Sequence, residues 1–220
     1  MIDVSFVIVN YKTLELTRDI IGDLLAFYPD VPRILIDNGS RDRSSALCEC
    51  APVDVLIMNN TNRGHGPAMH QGMEVAQTDL VFTLDTDTRI KRGGFLEAMQ
   101  ASFDEIENLY AVGWIRHVAK TGVSILPSQD PAGFCPYVHP YAAMWRRSIY
   151  FQLPPFEDHG APATANMHAV QGSQWVLGGF AIEQYVEHMI AGTRRMFGGH
   201  WHPAEGEKAR AWDEKAHYPI

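Results

Sequence analysis

The chain has 220 residues, 46% of them hydrophobic and 20% charged, which is enough for a sizeable core and too apolar for wholesale disorder. A formal charge of −8 argues against broad electrostatic adhesion to nucleic acid or anionic lipid. Three cysteines, Cys48, Cys50 and Cys135, suit neither a disulfide framework nor a metal knuckle; with no apolar run of about 18 residues and no basic leader before the first strand-like stretch, a reducing, cytoplasmic setting is expected.

Four short apolar runs occupy the first hundred residues: "VSFVIVN" (4–10), "RILIDN" (33–38), "VDVLIMN" (53–59) and "LVFTLD" (80–85). They are rich in Val, Ile and Leu and apolar on both faces, as buried parallel strands are. Between the first two, Leu14, Ile21, Leu24, Leu25 and Tyr28 recur at helical spacing before Pro29. Ser40 is placed to cap a second helix through Ala46 and Leu47. A third helix is expected over 65–76, where Ala68, Met69, Gly72 and Met73 share a face, and a fourth after Gly93-Gly94, marked by Leu96, Met99, Phe103 and Ile106. This alternation predicts a Rossmann-like α/β fold, a mostly parallel central sheet with helices on both faces.

The pattern then loosens. "NLYAVGWIRHV" (108–118) reads as a strand, 119–140 as turn-rich, and "YAAMWRRSIYF" (141–151) as a strand turning into a helix. "TANMHAVQ" (164–171) reads as a short helix closed by Gly172, and 175–189 holds strand-like stretches. The last eighteen residues are polar and read as a peripheral helix or partner-contact tail. With no internal repeat or clear linker, one domain over 1–220 is expected.

In open parallel sheets, ligands bind beyond the carboxyl ends of the strands. Four polar clusters fall at those ends: Asn10-Tyr11, Asp37-Asn38, Asn59 to Asn62, and Asp85 to Asp87. The last is the most pointed. In "LDTDTRI" (84–90) two carboxylates at i and i+2 face one side of an extended turn and need a counter-cation. Hard oxygen ligands suit Mg²⁺ or Mn²⁺. An isolated Asp-x-Asp is more often a solvated turn; its place at the end of an apolar run, beside three other polar strand ends, reverses those odds. His200 and His202, in "GGHWHP", would point to the same side of a strand and are candidate metal ligands. Arg146-Arg147 and Arg194-Arg195 are candidates for a local basic patch; Arg194 and Arg195 are also candidate phosphate contacts, with a solvated surface role the competing reading. Trp114, Trp145, Trp175 and Trp201 are either a sugar-stacking platform or core.

The stretches "VSFVIVNYK", "ILIDNGSRD", "NTNRGHGPAMHQGMEVAQTDLVFTLDTDTRI" and "GGFLEAM", in that order, resemble the family 2 glycosyltransferases with the GT-A fold. The resemblance covers residues 2–100 well and 140–195 loosely. It implies metal-dependent transfer, with inversion, of a sugar from a nucleoside-diphosphate sugar to an acceptor glycan or other hydroxyl compound. A UDP-sugar heads the donors, and a homo-oligomer is compatible. Residues 1–100 would then form the donor half, 101–202 the acceptor and catalytic half, and 203–220 the tail. By motif, Asp37 would hold the base or ribose near Asn10 and Tyr11, Asp85 would face the ribose or donor sugar, and Asp87 would ligate the metal. Asn62 and Arg63 join this donor set, Arg63 and Gly64 lying in the loop that skirts the donor. His70 stands where the family usually has Asn.

Inversion needs a base for the acceptor proton. The family's "FDE" stretch falls on Phe156-Glu157-Asp158, but its later Glu-Asp pair would land near Gly160-Ala161 and is missing. Asp158 is the candidate base, with His159 and Glu157 as alternates and a solvated loop as the competing reading. "YVEHMIAGT" resembles the late V-x-H-x-x-G pattern with one extra residue, which makes His188 a candidate third metal ligand. Two other readings stand beside this one. A nucleotidyltransferase would be expected to carry a glycine-rich, basic signature after the first strand, which "VNYKTLELT" lacks. A catalytically silent nucleotide- or sugar-binding module would keep the aspartates and lack the base.

Overall fold

The computed structural model describes residues 2–119, 134–157 and 161–189. In chain order the elements are β1 (Val4–Asn10), α1 (Leu14–Phe27), β2 (Arg33–Asp37), α2 (Arg43–Cys50), β3 (Val55–Met58), α3 (His65–Val75), β4 (Leu80–Asp85), β5 (Thr88–Ile90), α4 (Phe95–Glu105), β6 (Leu109–Ala119), β7 (Phe134–Arg146), α5 (Arg147–Tyr150), α6 (Thr164–Val170), β8 (Val176–Gly179) and β9 (Val186–His188). Seven strands form the central sheet in the order β3-β2-β1-β4-β7-β6-β8, and β5 pairs with β9 in a small second sheet. The pairs among β1 to β4, and that of β6 with β8, are parallel; β7 runs antiparallel to both β4 and β6.

Every residue of β1 and β2 is buried, because helices cover both faces. Val4, Phe6 and Ile8 point to a core shared with Ile20, Ile21 and Leu24 of α1 and Leu96, Met99 and Phe103 of α4. Val7 and Val9 point the other way, to Ala68, Met69 and Met73 of α3 and Met167 and Val170 of α6. The period-2 alternation of β1 thus assigns its neighbours on each side.

Three expectations are corrected. Ser40 does not cap α2: Asp42 does, its side chain accepting from the Ser44 N–H at 2.9 Å, while the Ser40 hydroxyl is drawn to Asp37. The segment read as turn-rich contains the start of β7 at Phe134, where Cys135, Tyr137 and Val138 are all buried. Leu25 and Ile106 fall off their expected apolar faces, at 39% and 41% exposure, Ile106 lying just past the end of α4.

Tyr28 does more than fill the core. Its hydroxyl accepts from the backbone N–H of Gly94 at 2.8 Å and of Phe95 at 3.1 Å, satisfying donors at the start of α4 that have no side-chain cap. Burial, helped by the charge of Glu97, outweighs these hydrogen bonds and pushes the phenol up to about 12, so it stays an un-ionised hydroxyl.

Two helical glycines give opposite expectations. A Cβ on Gly72 would overlap the Val7 side chain, whereas one on Gly22 meets nothing within 4 Å. Gly22→Ala should stabilise the protein by roughly 0.5–1 kcal/mol through helix propensity. Gly72→Ala should instead destabilise it, because overpacking of about 1–3 kcal/mol exceeds that gain. Urea unfolding of both variants checks the pair, and a stabilised Gly72→Ala would refute the close α3–β1 contact.

Candidate active site

The rim at the carboxyl ends of β1, β2 and β4 is built around Asn10. Its side chain is fully buried. The amide nitrogen donates to Asp37 Oδ1 at 2.6 Å, to Ser40 Oγ at 3.1 Å and to Ser44 Oγ at 3.2 Å. Its oxygen accepts from the Thr13 N–H at 3.2 Å and from the hydroxyls of Thr13 and Thr17, both at 2.9 Å. Asp37 is 1% exposed and also accepts from Ser45 Oγ at 2.9 Å. Both residues stand at the expected strand ends, yet their side chains are engaged with one another and with the hydroxyls that start α1 and α2. Tyr11, next in the chain, is half-buried, with the Lys12 ammonium 5.3 Å from its ring centroid.

Asn38 gathers the next loop. It donates to Asn62 Oδ1 at 2.9 Å and the Gly64 carbonyl at 3.1 Å, and accepts from Asn59 Nδ2 and the Arg63 N–H, both at 3.1 Å. Asn62 Oδ1 also accepts from the Gly64 N–H at 2.9 Å, so this loop is held by amides while the Arg63 side chain is exposed. At the other end of β4 from Asp85, Arg146 lies opposite Leu80 and contacts Asp79, and Arg147 donates to the carbonyls of Met73 and Glu74. That places both arginines away from this rim, so they supply no basic patch to it.

The Asp-x-Asp is a tight turn from β4 into β5, fixed by the Thr88 hydroxyl donating to the Asp85 carbonyl at 2.7 Å. Arg89 grips both carboxylate oxygens of Asp23 on α1, through Nε at 2.8 Å and Nη2 at 3.0 Å, which anchors β5. Antiparallel pairing of β5 with β9 sets His188 opposite Thr88. One ligand atom from each of Asp85, Asp87 and His188 lies within 4.8 Å of the others. Thus the sequence-predicted Asp85, Asp87 and His188 come together. Asp158, His159, His200, His202, Arg194, Arg195 and Trp201 lie outside the described residues.

Several neighbours escaped the sequence reading. His65 Nε2 is 3.2 Å from Asp85 Oδ1, and His188 Nε2 is 3.4 Å from Asp87 Oδ1. The only signal for His65 was its place in "NRGHG", where a polar residue opens α3 at the rim. His139 and Tyr141 sit on β7, in and just after the stretch read as turns. The His188 ring stacks on Tyr141 at 4.7 Å and lies 6.2 Å from His139, while the exposed Trp114 stacks on His139 at 5.7 Å. Trp145, by contrast, is core, its indole donating to the Thr83 hydroxyl at 2.9 Å.

Glu157 is exposed at its side chain, but its backbone packs against Gly66, where any Cβ would overlap it. The chain just before residues 158–160 is therefore held beside His65. His70 is tied to the same region: it contacts the Tyr150 hydroxyl at 2.8 Å, which accepts from the Phe156 N–H at 3.0 Å.

The electrostatics are strongly coupled. Burial would raise Asp85, but the charge and hydrogen bond of His65, with the charge of His188, hold it down at about 2. Burial likewise works against protonation of His65 and His188, but the carboxylates of Asp85 and Asp87 raise both above their usual value. For His139 burial wins and, with the nearby Arg116 charge, keeps it well below the usual range.

Stability in chelator should follow these shifts. Asp85, depressed on folding, contributes above its unfolded value of about 4, and that contribution fades as pH falls toward its folded value. His65, raised on folding, contributes below about 6.5 and loses its contribution as pH climbs through its folded value. The stability advantage of wild type over His65→Gln should therefore peak between about pH 4 and 6.5. Urea unfolding across pH measures it, and a difference flat in pH would contradict the pairing.

Comparison with known proteins gives this rim a context. The chain is 43% identical over 61 residues to the undecaprenyl-phosphate 4-deoxy-4-formamido-L-arabinose transferase of Pseudomonas paraeruginosa, a match covering 24% of this chain and only 17% of that protein. Among solved structures, the S. aureus TarS fragment 1-349 in complex with UDP superposes with a TM-score of 0.60 at 14% identity, covering 84% of this chain and 59% of that one. The mannosyltransferase PcManGT of Pyrobaculum calidifontis, in complex with GDP-Man and Mn²⁺, gives 0.55 at 16% identity, with 82% and 57% covered. A CMP:2-keto-3-deoxy-manno-octonic acid synthetase complexed with CTP gives 0.53 at 12% identity, with 81% and 89% covered, so the architecture by itself does not choose a reaction. The model of glycosyl transferase family 2 matches residues 5–168, well over half of the sequence: the chain belongs to glycosyl transferase family 2 and has the GT-A fold of its structural neighbours.

Proposed function

We propose that the protein transfers a sugar, with inversion, from a nucleoside-diphosphate sugar to an acceptor hydroxyl, using a divalent cation. The observation that carries this reading is the convergence of Asp85, Asp87 and His188 at the carboxyl end of the central sheet. Two carboxylates and an imidazole fit Mn²⁺ or Mg²⁺, the oxygens favouring either ion and the imidazole favouring Mn²⁺. When bound, such a cation supplies positive charge to the diphosphate leaving group.

The chain's own residues divide the remaining work. Asn10 and Asp37 set the positions of the rim loops, and Asp37 lies at the edge on which the base or ribose would rest. Asn62 and Arg63 border the same edge. His65, whose protonated form the Asp85 carboxylate favours, orients that carboxylate and, when protonated, adds a cationic neighbour for the diphosphate. Asp158 is the proposed base, with His159 as its alternate; Glu157, directed to solvent from a backbone packed on Gly66, is the weaker candidate. The base takes the acceptor hydroxyl proton, the acceptor oxygen bonds to the anomeric carbon, and the bond from that carbon to the diphosphate breaks. A UDP-sugar is the preferred donor, in line with the UDP bound to TarS, and the GDP-Man bound to PcManGT makes guanosine the first competitor. Among the described residues no helix is long and apolar enough to cross a membrane.

Two measurements test this. In a thermal-shift panel of nucleoside diphosphates, UDP should raise the midpoint only with Mn²⁺ or Mg²⁺ present. At a ligand concentration of 100 Kd the stabilisation is about 2.7 kcal/mol. Asp87→Ala should abolish it, and no shift with any nucleotide would overturn the reading. Asp158→Asn should keep that shift while lowering transfer about 100-fold or more; unchanged transfer would remove Asp158 from the mechanism.

A further inference from the structure

Arg116, on β6, is only 9% exposed, yet its Nε and Nη2 atoms are buried with no hydrogen-bond partner among the described residues. These two nitrogens form the side-on edge of a guanidinium, whose parallel N–H groups match the two oxygens of a carboxylate or phosphate. The same protein shows what that edge does when it is filled: Arg89 uses Nε and Nη2 to hold both oxygens of Asp23 at 2.8 and 3.0 Å. A buried guanidinium without an anion is costly to keep, so a filled edge is the expected working state.

Its position ties it to the transfer site. Arg116 pairs with Tyr137 across β6 and β7, its guanidinium carbon 5.2 Å from the Tyr137 ring centroid. Tyr137 is 6.0 Å from His139 by ring centroids, and His139 is 6.2 Å from His188. The charge of Arg116 acts on both histidines. Arg116 therefore sits two rings beyond the Asp85, Asp87 and His188 cluster, on the β6–β7 hairpin. The Tyr137 ring face does not satisfy the in-plane N–H groups, so Nε and Nη2 stay buried and unpaired among the described residues.

We propose that Arg116 binds an oxyanion carried by the acceptor, a phosphate or a carboxylate, so that the acceptor of this enzyme is an anionic hydroxyl compound. This rests on the transferase reading for the word acceptor; the anion site itself rests on Arg116 alone.

The test uses the full chain, inorganic phosphate and acetate as probes, and the variants Arg116→Met and Arg116→Lys. With UDP and Mg²⁺ saturating, phosphate or acetate should still raise the wild-type unfolding midpoint. The apparent affinity of the more effective probe should fall tenfold or more in Arg116→Met and at least fivefold in Arg116→Lys, which keeps the charge but lacks the fork. UDP affinity should change less than twofold in either variant, and without ligands Arg116→Met should unfold no earlier than wild type. No shift by either probe in wild type, or equal shifts in the variants, would overturn the proposal. A tenfold loss of UDP affinity would assign the arginine to the donor diphosphate and overturn the acceptor assignment. An early-melting Arg116→Met with probe binding intact in Arg116→Lys would reduce Arg116 to a packing role. Should no nucleotide bind, the transferase reading fails; the probe titrations, run without nucleotide, then still decide the anion site.

Discussion

The buried side chain of Asn10 is the constraint on which the rim depends. It closes β1, the strand between β2 and β4 in the sheet, and its amide reaches β2, the start of α1 and the start of α2 at once. A net worth of about 1 kcal/mol per buried hydrogen bond understates its role. Replacing it with an apolar side chain would take one donor from the buried Asp37 carboxylate, which keeps Ser40 and Ser45, and the shared acceptor from Thr13 and Thr17; each group left orphaned costs about 1–3 kcal/mol. Burial of this polar network is tolerable only because nearly every donor in it finds an acceptor. The same completeness holds Asp37 and Asn38 rigid, and through Asn38 the loop carrying Asn62 and Arg63.

The second dependency is topological. Asp85 and Asp87 come from the turn after β4, but the third member of the cluster arrives from about a hundred residues later. The β5–β9 pairing carries it there, setting His188 opposite Thr88. Two three-residue strands are marginal on their own; the Arg89–Asp23 fork on one side and the Tyr141–His188 stack on the other hold them in place. The chemistry of the site is thus assembled from both halves of the chain, although only the first half shows regular strand–helix alternation.

That asymmetry explains what was legible in the sequence. β1 and β4 fall on residues 4–10 and 80–85 as read, and β2 and β3 within a residue or two of their expected ends, because buried parallel strands leave continuous apolar runs. The Asp-x-Asp and His188 were found from motif spacing, and the structure brings them together. Ser40 was misread because a serine before a helix looks like a cap whether or not a nearby aspartate claims its hydroxyl. β7 was hidden by its prolines, Pro136 and Pro140, and by alternating buried and half-buried residues at its start, which resemble a loop. His139 and Arg116 were invisible for a further reason: their neighbours are set by which strands lie side by side, and β7 lies between β4 and β6, out of chain order.

Gly39 bears on how such a site can change over evolutionary time. Its backbone has φ +78°, and it runs so close to Thr61 that even a methyl group would overlap the Thr61 main chain. Two loops from adjacent strands therefore cross with no slack between them. An inserted residue in either would break the amide lattice before it reached a ligand. Diversification at this edge is channelled into the outward side chains of Thr61 and Arg63, both exposed, while loop length stays fixed. The side chains at this edge can then change one at a time, without disturbing the carboxylate turn on the far side of β1.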